Sequence, residues 1–121
     1  MSHRILIADD EPNIVVSLEF MMKREGYDVL VARDGTEALA TIRGSRPALV
    51  LLDGMMPGMS GFEVCEAVRA DPDLAGTRIV MLTAKGRDTD VARGMGAGAD
   101  AYVIKPFSTQ ELVQRVRELL A

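Results

Sequence analysis

Five short runs of apolar residues punctuate this chain, at residues 5–8, 29–32, 49–52, 79–82 and 102–104, and segments of helical period lie between them. The runs are rich in Val, Ile and Leu and lack strict polar alternation. That is how strands buried on both faces read. The first helical segment opens with Pro12 and closes near Glu25, ahead of Gly26, with Ile14, Leu18 and Met21 or Met22 along one face. Later segments begin at Asp34, Ser60 and Ser108. Each has a glutamate three residues on (Glu37, Glu63, Glu111), the spacing of a capping box. The fourth segment falls within residues 87–95, where Gly86, Gly94, Gly96 and Gly98 crowd its ends. An interior glycine costs a helix about 1 kcal/mol relative to alanine, so a short helix is expected there. Strands alternating with helices predict an α/β fold, a parallel sheet covered on both faces.

At 121 residues the chain has the size of one domain, and 48% apolar with 26% charged residues is an ordinary globular balance. The longest apolar run is about five residues, against the roughly 20 needed to span a bilayer. No leader pattern follows Met1, so a cytoplasmic protein without a membrane partner is expected. A single Cys65 and a single His3 exclude an internal disulfide and a Cys/His zinc site. Cys65 sits at a helical apolar offset and reads as core. The net charge of −4 argues against direct nucleic-acid binding by this domain.

In parallel α/β sheets the site lies beyond the C-terminal strand ends. After the first run come Asp9, Asp10 and Glu11. Asp53 follows the third, Thr83 the fourth, and Lys105 and Pro106 the fifth. Three converging carboxylates repel one another and call for a cation, and oxygen ligands with open positions suit Mg²⁺. With the metal and Lys105 counted, the charge sums to zero. A neutralised cluster can accept a phosphoryl group, with Asp53 as nucleophile. Lys105 and the Thr83 hydroxyl would hold phosphoryl oxygens. A cis Lys105–Pro106 bond would aim the lysine inward.

These features, in this order and spacing, resemble the receiver domains of two-component response regulators. The resemblance rests on Asp9-Asp10, the segment from Asp53 to Gly61, Thr83-Ala84, the segment from Gly98 to Tyr102, and Lys105-Pro106-Phe107. It implies a flavodoxin-like three-layer sandwich with strand order 2-1-3-4-5, a single receiver domain over residues 1–121 and no output domain within the chain. It implies Asp53 as phosphoacceptor and Mg²⁺, or Mn²⁺ in its place, held by Asp10, Asp53 and the Met55 backbone carbonyl, with Asp9 acting through water. Thr83, the Ala84 backbone and Lys105 would bind the phosphoryl group. Thr83 and Tyr102 would form the switch pair, and Met55 and Lys85 would tune the phosphoryl lifetime. The implied phosphodonor is a histidine kinase or a histidine phosphotransfer protein, docking near Asn13, Ile14, Leu18 and Phe107. A downstream protein or output domain would read the surface of the fourth helix, fifth strand and fifth helix. Such a domain catalyses only its own phosphorylation and dephosphorylation and is not a turnover enzyme.

Departures from the family pattern also carry expectations. Gly54 replaces a bulky aliphatic residue and should remove packing beside Asp53. Val91 and Ala101 replace charged residues of one dimerising subfamily, which argues for a monomer or weak homodimer, although Asp100 and Arg115 are present. Competing readings are a haloacid-dehalogenase-type phosphohydrolase, a flavin carrier, and a receiver used as an unphosphorylated scaffold. Adjacent Asp9 and Asp10, with the lone nucleophile after the third strand, do not match the Asp-x-Asp pattern of the first. Three acids after strand 1 repel the phosphate of the second.

Overall fold

The computed structural model describes residues 3–84 and 96–121. Its strands are β1 (Arg4–Ala8), β2 (Asp28–Ala32), β3 (Leu49–Asp53), β4 (Arg78–Ala84) and β5 (Ala101–Lys105). All the strand pairings are parallel, in the order β2-β1-β3-β4-β5. This is the flavodoxin-like strand order that the sequence resemblance implies. The chain starts in the middle of the sheet, adds β2 on one side and returns to add β3 on the other. The order therefore reverses between β1 and β3, which opens a crevice at their C-terminal ends.

Two hydrophobic layers cover the sheet. Helix α1 (Pro12–Arg24) and the C-terminal helix (Thr109–Leu120) pack on Ile5, Ile7, Leu49, Leu51, Val80, Leu82 and Val103. Helices α2 (Gly35–Ser45) and α3 (Gly61–Ala70) pack on the alternate residues Leu6, Ala8, Val50, Leu52, Ile79 and Met81. Every residue of β3 is buried, so its run is continuously apolar until Asp53. Among the described residues no helix is long and apolar enough to cross a membrane.

The α1 stripe is turned slightly from the expected one. Val15, Leu18 and Met22 are buried, while Ile14 and Met21 lie at its margins. All three expected caps accept the amide three residues on, and the reciprocal bond of a full capping box is described for Ser60 and Glu63. The expected fourth helix over residues 87–95, together with Lys85 and Val91, lies outside the described residues.

Candidate functional site

The crevice between β1 and β3 is where the strand-end acids meet. Asp9 and Asp10 follow β1 directly, and Asp53 is the last residue of β3. One carboxylate oxygen from each of Asp9, Asp10 and Asp53 lies within 4.8 Å of the others. Asp9 is completely buried and Asp53 nearly so, whereas Asp10 is exposed. Asp9 accepts the Glu11 backbone N–H at 2.9 Å on one oxygen and the Lys105 ammonium at 3.0 Å on the other. Asp53 accepts the Met55 backbone N–H at 3.2 Å.

Lys105 reaches this group from the end of β5, across β4. Its Nζ stands 3.6 Å from Asp53 and 3.5 Å from Glu11. The Lys105–Pro106 peptide bond is cis. Thr83 is buried near the end of β4. In the β3–β4 register Asp53 lies opposite Leu82, one residue before Thr83, on strands about 4.8 Å apart. Tyr102 lies opposite Met81 and packs on the α2–α3 layer. By strand alternation Thr83 belongs to the same side of the sheet as Met81, the side on which Tyr102 packs.

Electrostatics follow from this crowding. Burial first, then the neighbouring Asp9 charge and more weakly Asp10, push the Asp53 carboxyl up to about 6. Lys105 and the Met55 amide pull the other way. For Lys105, burial favours the neutral form. Its hydrogen bond to Asp9 and the charges of Asp53, Asp9 and Glu11 outweigh that and hold its pKa above the ordinary value. It remains an ammonium at neutral pH. The three aspartates and Lys105 together carry −2 when all are ionised. An all-oxygen donor set with one exposed member fits a hard divalent ion that keeps some of its water.

Several expectations change here. Gly54 does not leave a gap beside Asp53, because the buried Phe62 ring fills the space where a Cβ would go. Leu18 is fully buried and cannot meet a partner. The exposed apolar residues of α1 are Val16 and Phe20. Asp100 is committed within the chain. It accepts Arg69 at 2.6 Å and the Ile79 N–H at 2.7 Å, and Arg115 pairs with Glu118 at 3.9 Å. Cys65 is a core residue, its thiol pushed up to about 11 chiefly by burial, donating to the Ala97 carbonyl. Met55, two residues after Asp53, is exposed, whereas Met56 is buried. Sequence reading missed Glu11 as a partner of Lys105 and Phe62 as a neighbour of the site. The acidic triplet after β1 was the one available signal for Glu11.

Comparison with known proteins adds an independent finding. The model of the response regulator receiver domain family matches residues 5–117. The DNA-binding response regulator MtrA of Mycolicibacterium smegmatis is 50% identical over 120 residues, which cover 99% of this chain and 51% of that protein. The chain thus spans about half the length of the curated relatives it matches. Among solved structures, the receiver domain of a signal transduction histidine kinase from Syntrophus aciditrophicus superimposes with a TM-score of 0.92 at 32% identity, covering 98% of this chain and 90% of that one. The chemotaxis response regulator CheY4 of Vibrio cholerae does so with a TM-score of 0.91 at 31% identity, covering 98% and 99%.

Proposed function

Because the chain belongs to the response regulator receiver domain family, we propose that it is a cytoplasmic phosphorylation switch, charged on Asp53 by a histidine kinase or histidine phosphotransfer protein. The observation that carries this reading is the Asp53 carboxylate in one crevice with Asp9, Asp10 and an ammonium 3.6 Å away. An Asp53 oxygen attacks the donor's phosphorus. The phosphorus–nitrogen bond of the phosphohistidine breaks, an acyl phosphate forms, and the imidazole leaves with the bonding electron pair. Above a pH of about 6 Asp53 is ionised and nucleophilic without a general base. Lys105, released from Asp53, pairs with a phosphoryl oxygen. The Thr83 hydroxyl and the Ala84 backbone N–H donate to others. Mg²⁺, or Mn²⁺, held by Asp10, Asp53 and the Met55 carbonyl, with Asp9 through water, would screen the negative charge that crowds the transferring group.

The readout follows from the added charge, roughly −1.5 to −2 at neutral pH. Thr83 moves toward the phosphoryl group, and Tyr102, on the same side of the sheet, turns into the space it leaves. The surface of the fourth helix, fifth strand and C-terminal helix then presents a different shape to a downstream protein or output domain. Met55 at the rim, and Lys85 beyond Ala84, set how readily water reaches the acyl phosphate. The domain turns over nothing but its own phosphoryl group. The absence of a nucleic-acid partner is proposed for this chain alone, since the similar MtrA is a DNA-binding response regulator about twice as long. With Val91 and Ala101 uncharged and Asp100 held by Arg69 and the Ile79 N–H, it acts as a monomer or weak homodimer. Family membership leaves the dehalogenase-type reading without support.

Incubation with Mg²⁺ and acetyl phosphate, followed by intact mass, tests the proposal. One phosphate adduct is expected, absent in Asp53→Ala and after chelation. An unmodified wild-type chain would contradict it and favour the scaffold reading.

A further inference from the structure

The residue after Asp53 is a glycine, and its surroundings explain why. A Cβ on Gly54 would lie 2.9 Å from Cζ and 3.1 Å from Cε2 of Phe62. The Phe62 ring is fully buried in the α2–α3 layer and has no solvent to retreat into. Elsewhere the same turn is pinned. The Gly54 N–H donates to the Leu82 carbonyl at 3.0 Å, and the Gly54 carbonyl accepts the Gly61 N–H at 3.0 Å. One peptide earlier, the Asp53 carbonyl passes so close to Gly61 that a Cβ there would sit 2.0 Å from its oxygen. The Asp53–Gly54 peptide is thus held between β4 and the first turn of α3, and the ring closes the side left open.

We infer that Phe62 is a positioning residue for Asp53: its ring and the missing side chain at position 54 form a size-matched pair that fixes where the carboxylate points. The inference rests on reading Asp53 as the phosphoacceptor. An added side chain at 54 cannot be absorbed by solvent. Either the ring or the clamped peptide must shift, and the peptide carries the Asp53 carboxylate with it. A misplacement of this order at a reacting atom is costly in rate.

The variants are Gly54→Val, Phe62→Leu and the two combined, where the heavy atoms added at one position equal those removed at the other. Gly54→Ala serves as a milder form should Gly54→Val fail to fold. Each is measured well below its melting temperature for the initial rate of acetyl-phosphate labelling per folded chain, and for Mg²⁺ affinity by calorimetry. Enlarging position 54 alone is expected to slow labelling about tenfold or more and to weaken Mg²⁺ binding. The combined variant is expected to recover to within about threefold of wild type in both. Loss of melting temperature without change in rate or Mg²⁺ affinity would reduce the pair to packing and overturn the inference. So would a combined variant no better than the worse single one. If the wild type takes up no phosphate, the phosphoacceptor reading fails, and the Mg²⁺ isotherms still decide whether Phe62 positions Asp53.

Discussion

With its ammonium 3.0 Å from Asp9, 3.5 Å from Glu11 and 3.6 Å from Asp53, Lys105 is the cation that lets these acids share a crevice. Hydrogen bonds to charged groups contribute about 1.5–3 kcal/mol. Lys105→Ala is therefore expected to slow labelling of Asp53 by about tenfold or more, measured as the initial rate of adduct formation. Asp53 also links stability to pH. Its carboxyl ordinarily titrates at 3.8 and is raised to about 6 in the fold by burial and by Asp9. The folded state thus holds this proton more tightly than the unfolded chain. The resulting stabilisation is present below the unfolded value and is lost as pH rises through about 6. Without Mg²⁺, the melting temperature of Asp53→Asn should gain on wild type between pH 5 and pH 7.5 (about the span from mostly protonated to ionised). A constant difference across that range would contradict the assignment. Asp9, Asp53, Thr83 and Lys105 were legible from sequence because each directly follows an apolar run, and Asp10 because it stands next to Asp9. Glu11 and Phe62 were not, because their roles depend on Lys105 arriving from β5 and on which way a core ring lies.

At the scale of elements, the first turn of α3 links fold to site. Ser60 accepts the Glu63 N–H at 3.2 Å and Glu63 accepts the Ser60 N–H at 3.1 Å, which fixes where Gly61 and Phe62 meet Asp53 and Gly54. Ser60→Ala should cost about 1 kcal/mol in denaturant unfolding. Gly61→Ala forces a methyl onto the Asp53 carbonyl and should cost about 1–3 kcal/mol while also slowing labelling. A Gly61→Ala protein with wild-type stability would show that the turn has room to spare. The helix starts were readable because Asp34, Ser60 and Ser108 carry their own capping signal. The buried stripe of α1 was readable only to within one residue. Val15 rather than Ile14 faces the sheet, because the angle at which a helix settles on its strands is set by packing and not by period alone.

For the molecule as a whole, strand order decides the chemistry. Residues far apart in sequence become a site because β1, β3 and β5 end at one edge of a sheet whose order reverses between β1 and β3. The alternation of buried runs and helices made a parallel sheet covered on both faces legible, whereas the strand order was legible only through the resemblance to receiver domains. Ligand binding to the folded state stabilises it by mass action, so Mg²⁺ at 100 times its dissociation constant should add about 2.7 kcal/mol. Calcium-free buffers with and without Mg²⁺ in thermal unfolding check this, and Asp53→Asn should lose most of the gain. The most direct measurement reads the phosphoryl attachment point itself. Borohydride reduces an aspartyl phosphate to homoserine, so the Mg²⁺- and acetyl-phosphate-treated chain can be reduced, digested and sequenced by mass. Homoserine is expected at position 53 and at no other aspartate. Homoserine at Asp9 or Asp10, or none anywhere, would contradict it.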